Sequence, residues 1–282
     1  MAIERNNLRA ATDRRCVEIF GISATPRSNT IFLADFYNKS IKEMNLESGE
    51  LTVAYNTDWL VYAVRNLNCT LDETLAILER EPGASATRVT IGIMKNGRVT
   101  KKQHVTLREK SHAWFGALEE RENGNILCAF RGFEYLYELG RSSDGEFACI
   151  NGYNLPAQFK YMTIAKWLTT ESVIVALDDR SLREYQFSDN CLEELRQINL
   201  GPNPNNILFD KWQTCLLAED YLDSQSIIAS FTMDGDRLNR SNMEFTGLES
   251  NEVDIRTWTF SRKGNIVIYD WKSDSLLDFE CS

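Results

Sequence analysis

The sequence predicts an all-β protein built from a repeated sheet, and three observations carry that prediction. Residues 29–49, NTIFLADFYNKSIKEMNLESG, read as two short strands joined by a polar turn. Variants of this unit begin near residues 29, 74, 125, 172, 214 and 265, a period of roughly 40–50 residues. Each copy is preceded by an apolar, aromatic-rich segment and followed by another extended one, so a unit holds about four strands. Such a period with four short strands per unit predicts a six-bladed β-propeller, seven blades being the alternative. Helical solenoids of similar period would show helical spacing of apolar residues, which is absent.

Within the typical unit, Ile31, Phe32, Leu33 and Ala34 form a nearly continuous apolar run, as suits a strand buried on both faces. Asp35 to Lys39 is a polar break containing Asn38, a residue tolerant of turn geometry. Ile41, Met44 and Leu46 then give the imperfect alternation of a half-exposed or bulged strand, closed by Ser48-Gly49. The same pair recurs from Asn125 to Phe130 with Phe133 to Leu139, from Ser172 to Leu177 with Ser181 to Phe187, and from Asn265 to Tyr269 with Ser275 to Phe279. Looser copies pair Thr74 to Leu78 with Arg88 to Met94, and Thr214 to Ala218 with Ser226 to Phe231.

The preceding segments are the candidate inner strands: Cys16 to Ala24, Trp59 to Leu67, Ala113 to Leu118, Phe159 to Trp167, Asn206 to Phe209 and Val253 to Phe260. Fourth strands are expected at Leu51 to Tyr55, Lys101 to Leu107, Glu146 to Ile150, Leu192 to Ile198 and Leu238 to Phe245. The last unit runs out of chain with three strands. Part of Ile3 to Thr12 is therefore expected to close the final blade and remove its exposed edge. Low proline content and the lack of any low-complexity run predict a single domain over residues 1–282.

Residues 1–15 carry four arginines with Glu4 and Asp13 and no apolar core, so no secretory signal or membrane anchor is expected there. No later stretch is long and apolar enough to span a bilayer as a helix. Seven cysteines, an odd number with no C-x-x-C pair, suit a reducing compartment. An intracellular, cytoplasmic location is expected, and the nucleus is not excluded. Cys128, Cys149, Cys191 and Cys215 lie in or beside apolar strands and are expected as small buried hydrophobes.

Charge is uneven. Residues 1–110 hold 16 basic against 13 acidic residues, and residues 111–282 hold 15 against 28. So acidic a chain repels a phosphate backbone, which argues against a nucleic-acid partner. Lys95, Arg98, Lys101, Lys102, Arg108 and Lys110 form the one basic cluster, readable as protection of an outer strand edge or as a patch for an acidic partner.

Only two histidines are present, His104 and His112, which excludes a histidine-rich zinc site and most triads built on a histidine base. There is no nucleophile elbow, phosphate-binding glycine loop or dinucleotide fingerprint, and no cofactor is expected. Hard cations take oxygen ligands, and Glu18, Asn154, Asn206 and Asp254 fall near starts of inner strands. They are the candidate ligands of a metal-dependent hydrolase or lactonase, the alternative function; hydration of a channel uses the same residue types.

Tryptophan recurs about once per blade, at Trp59, Trp114, Trp167, Trp212 and Trp258. Packing in the wedge between twisted sheets accounts for most of them. Trp59 and Trp258 lie at strand ends, and with Asp58 and Asp254 they are the candidate contacts for a protein or peptide partner rich in Lys or Arg.

Segments such as SVIVALDDRSLREYQF and TIFLADFYNKSIKEMNLESGE resemble blade cores of WD40 and NHL-type β-propellers. The Gly-His and Trp-Asp dipeptides of WD40 repeats are missing, as is the YWTD pattern of extracellular propellers. The resemblance implies a platform that binds other macromolecules, and the expected function is a non-catalytic interaction scaffold.

Overall fold

The computed structural model describes residues 2–6, 18–25, 27–68, 72–83, 86–107, 116–130, 135–155, 159–167, 170–177, 181–189, 191–198, 204–209, 215–222, 225–234, 237–242, 244–246, 255–270 and 272–281. Among them the regular structure is all strand, in six sheets, and the architecture is a six-bladed β-propeller. Two compact units divide the blades. Asp13–Phe159 carries the first three; Met1–Thr12 with Lys160–Ser282 carries the last three.

An N-terminal strand, β1 (Ala2–Asn6), precedes the first blade. Blade one runs β2 (Ile19–Ala24), β3 (Thr30–Asp35), β4 (Ser40–Asn45) and β5 (Leu51–Asn56). Blade two runs β6 (Leu60–Leu67), β7 (Thr74–Arg80), β8 (Thr87–Lys95) and β9 (Arg98–Leu107). Blade three runs β10 (Gly116–Glu120), β11 (Ile126–Phe130), β12 (Tyr135–Arg141) and β13 (Phe147–Asn154). In the other unit, blade four runs β14 (Phe159–Trp167), β15 (Thr170–Leu177), β16 (Leu182–Ser188) and β17 (Cys191–Ile198). Blade five runs β18 (Pro204–Phe209), β19 (Cys215–Leu222), β20 (Gln225–Asp234) and β21 (Arg237–Asn242). Blade six orders β22 (Glu244–Thr246), β1, β25 (Ser275–Cys281), β24 (Ile266–Asp270) and β23 (Ile255–Phe260).

The expected closure holds: β1 pairs antiparallel with β25, from Ile3 opposite Cys281 to Asn6 opposite Asp278. The single strand expected over 238–245 is instead two. β21 ends blade five at Asn242, and β22 crosses to pair parallel with β1, making blade six five-stranded.

The apolar runs are continuous because each middle strand is covered on both faces. In β7, Leu75 and Ile77 pack toward blade one with Phe32, Ile41 and Val64, while Ala76 and Leu78 pack toward blade three with Ile126, Leu139 and Phe147. In β19, Leu216 joins the core with Ile174 and Phe209, and its neighbour Leu217 joins Ile266, Ile268 and Phe279. Within each unit the hydrophobic cores therefore lie between successive blades.

Polar residues at the heads of the apolar runs hold the sheets in register. Asn125, just before β11, donates to Glu138 of β12 at 2.7 Å. Ser172 of β15 donates to Glu184 of β16 at 2.6 Å, and Asn265, before β24, to Asp278 of β25 at 3.2 Å. Glu138 takes further bonds from Tyr153 of β13 at 2.6 Å and from Arg121 at 2.8 Å. Glu184 likewise takes one from Arg196 of β17 at 2.7 Å. A second repeated device is the β3–β4 turn, where Asp35 accepts from the Asn38 backbone and side chain and from Lys42 at 2.5 Å. Asp270 does the same for Ser273 in the β24–β25 turn, and the fifth residues, Lys39 and Asp274, both have positive φ, 51° and 47°.

The first strands of blades one and two lie unusually close. A Cβ placed on Gly21 would meet Ala63 Cα at 3.1 Å, and the Asn66 amide donates to Ser23 Oγ at 2.8 Å. Gly21→Val is expected to lower stability by about 1–3 kcal/mol, the cost of forcing side-chain volume against backbone. Urea denaturation checks this, and an unchanged midpoint would show that the approach is not tight.

Candidate functional site

Antiparallel order puts certain loops at one end of blades one and two. β3, β5 and β7 all finish there, so the 36–39 turn, the 57–59 connection and residues 81–83 share that end. It carries an aromatic group. Phe36 stacks tilted on Phe20 at 4.7 Å and edge-on to Tyr62 at 5.0 Å. Tyr37 stands edge-on to Phe36 at 4.9 Å and remains 54% exposed. The exposed ring is thus backed by a buried aromatic base.

The 57–59 connection holds Asp58 and Trp59. Its shape is set by Thr57, whose hydroxyl accepts the Trp59 amide at 3.2 Å and Arg88 Nη2 at 3.4 Å. The Arg88 guanidinium lies over the Trp59 ring at 3.9 Å from its centroid. Arg88 Nε donates at 2.9 Å to Glu79, a fully buried carboxylate on β7. Glu79 also accepts from the Tyr55 hydroxyl of β5 at 3.1 Å and from the Thr90 hydroxyl of β8. Because Thr90 gives its proton to Glu79, His104 Nδ1, 2.8 Å from Thr90 Oγ1, must be the donor to that oxygen. Lys102 covers the Tyr55 ring at 4.4 Å. Desolvation and then the Glu79 charge push the Tyr55 phenol up, while desolvation and the Arg88 charge push the His104 imidazole down.

The structure brings Asp58 and Trp59 together at this end: Asp58 is exposed and without a partner among the described residues, and Trp59 is half-buried. Trp258 is a correction. It sits within β23, 6% exposed, in the core with Leu217, Ile266 and Phe279, because both faces of the first strand are covered. It is a packing residue and not a surface contact. Asp254 lies outside the described residues. Of the alternative metal ligands, Glu18 directly precedes β2, the first strand of blade one. Asn154 ends β13, the outermost strand of blade three, and not the start of a first strand. Asn206 lies in β18, where only the backbone is described. Among the described residues no three His, Cys, Asp or Glu side chains form a group that could hold a metal ion.

Two of the cysteines also depart from expectation. Cys128 is buried, and burial pushes its thiol far up, but Cys149 and Cys191 lie exposed on the outermost strands β13 and β17. The buried carboxylates Glu79, Glu138 and Glu184 were not foreseen. The sequence holds one signal for the last two: Asn125 and Ser172 head their apolar runs as polar residues with a carboxylate 13 and 12 residues further on.

No family model matches the chain, and no curated protein does. Solved structures share its fold. A PQQ-bound aldose sugar dehydrogenase from Streptomyces coelicolor superposes with a TM-score of 0.62 at 9% identity, over 93% of each chain. The Cps50 (Swd1) β-propeller domain of Myceliophteria thermophila gives 0.61 at 9% identity, over 94% of this chain and 83% of that one. A luciferin-regenerating enzyme gives 0.62 at 11% identity, over 94% and 90%. The class is therefore a β-propeller, a fold shared at similar distance by proteins named as enzymes and by a β-propeller domain whose name carries no activity.

Glu138 supplies a pH test of the sheet clamps. Burial alone would raise its carboxyl, but the hydrogen bonds from Tyr153 and Asn125 and the Arg121 charge outweigh that and hold it below the ordinary value. A depressed carboxyl contributes stability that is complete above the unfolded value, near 4.5, and is lost as pH falls through the folded value. Acid titration of the melting temperature is expected to show a shallower fall below that pH for Glu138→Gln than for the wild type. Parallel acid limbs would contradict the assignment.

Proposed function

We propose that the chain is a non-catalytic, intracellular interaction propeller, acting in the cytoplasm and binding a protein or peptide through the loop end carrying Tyr37, Asp58 and Trp59. The observation that carries the reading is pre-ordering. Tyr37 is exposed on a buried aromatic base, and Trp59 is held flat under Arg88 by a guanidinium that Glu79 anchors in turn. Aromatic groups already fixed before contact lose little rotamer freedom on binding, and such residues dominate interface energetics. Asp58, exposed beside Trp59, gives the surface a carboxylate for a Lys or Arg of the partner.

Purified wild type and the variants Tyr37→Ala, Asp58→Lys and Trp59→Ala test this by affinity enrichment from native cells with quantitative mass spectrometry, followed by titration of the enriched partner. Each variant is expected to remain folded and to weaken the same partner by about 10-fold or more, as hot-spot truncations do. Undiminished binding by all three would remove the loop end as the contact surface. One equivalent of tightly held Ca²⁺ whose chelation lowers the melting temperature would overturn the non-catalytic reading in favour of a metal-assisted hydrolase.

A further inference from the structure

We propose that the outer edge of blade two takes an acidic, extended peptide segment of a partner protein as a fifth strand on β9. This surface is distinct from the loop end, and three independent features of the structure converge on it.

The first is the edge itself. β9 pairs with β8 from Thr87 opposite Leu107 to Lys95 opposite Arg98, with a register shift at Ile93/Met94, and forms the outermost strand of its sheet. On its other edge, no backbone hydrogen bond to another strand or loop occurs among the described residues. Arg98, Thr100, Lys102, His104 and Thr106 are exposed along it. An unpaired edge of this kind is a template for another strand.

The second is unrelieved charge. The β8–β9 hairpin turns through Asn96 and Gly97, with φ of 52° and 71°, and this places Lys95 directly opposite Arg98. Like charges in a cross-strand pair repel. Neither residue forms an ion pair among the described residues, and Lys102 lies over the Tyr55 ring. Glu43 of blade one comes to the hairpin tip at Gly97 but bridges neither cation. A carboxylate laid beside Arg98 on β9 would relieve this repulsion; Lys102, beyond the register shift at Ile93/Met94, lies on the opposite face of the sheet.

The third is a precedent within the chain. Blade six already carries a fifth strand, because β22 pairs with β1 outside the four-stranded pattern. That added strand begins with Glu244. The blade sheet of this protein therefore extends by strand addition without losing its register.

The test uses a fluorescent peptide of alternating Glu and Val, matched to β9 in length. Its controls are the same peptide methylated on alternate backbone nitrogens and an alternating Lys and Val peptide. The Glu peptide is expected to bind with added hydrogen-exchange protection confined to β9. Binding is expected to weaken by about 10-fold in Lys95→Glu/Arg98→Glu, from two reversed charge contacts. Backbone methylation is expected to abolish it, because charge is retained and only strand pairing is blocked. The loop-end residues are unchanged in these proteins, so the outcome is independent of the reading proposed for that end. Equal binding of the methylated peptide would reduce the effect to charge attraction and overturn the proposal. So would equal binding of the Lys peptide, or no binding together with aggregation of Lys95→Thr/Arg98→Thr, which would make the cations edge protection alone.

Discussion

The fold depends on carboxylates withdrawn from water and given back their hydrogen bonds by donors from neighbouring strands. Glu138 and Glu184 are each nearly inaccessible, yet each accepts from the head of the second strand and from the fourth strand of its own sheet. An ion of this kind left without partners costs on the order of 3–5 kcal/mol. A one-residue slip in strand pairing would move the carboxylate to the opposite face and separate it from its donors. The clamps therefore do what apolar packing alone does poorly. Leucine and isoleucine tolerate several arrangements, whereas a buried carboxylate tolerates one.

Packing between blades supplies the larger, less specific part of the stabilisation. Alternate side chains of β7 enter different cores, so blade two contributes to two interfaces within its unit. Loss of side-chain volume at either would be felt on that side alone. Polar stitches then set the spacing of neighbouring blades. Gln103 of β9 accepts the Phe147 amide at 2.8 Å and donates to the Phe147 carbonyl at 2.5 Å, an imitation of strand pairing by a side chain. Arg65 of β6 pairs with Glu119 of β10 at 3.2 Å, linking the first strands of blades two and three.

Much of this was legible in the sequence because strand patterning is local. Ile31 to Ala34, Ser172 to Leu177 and Ile266 to Tyr269 each lie in second strands, where continuous apolar runs mark two covered faces. Burial of polar groups was not legible, because it is set across strands. Glu79 ends an apolar run and reads as a solvated strand terminus, yet Tyr55 from blade one and Arg88 from the next strand enclose it. Cys149 and Cys191 misled for the converse reason: they sit beside apolar residues, but on outermost strands with one open side. Trp258 near a strand end resembled Trp59, and only the number of covering neighbours separates a core tryptophan from a surface one. The division of 238–245 into β21 and β22 was hidden because a parallel pairing with β1 leaves no local pattern.

The group around Glu79 has the residue types of a proton relay, with tyrosine, carboxylate, threonine and histidine in sequence. Its hydrogen-bond directions give it another role. Tyr55, Arg88 and Thr90 all donate toward Glu79, and His104 donates toward Thr90, so every link terminates on the same carboxylate. A general base must have a lone pair free to take a proton from substrate, and Glu79 is fully enclosed with both oxygens engaged. A carboxylate so occupied fixes its donors in place. The most exposed consequence is Arg88, whose Nε is committed to Glu79 while its flat face meets Trp59. The network thus converts a buried charge into the orientation of a surface aromatic, which is the property a recognition surface needs.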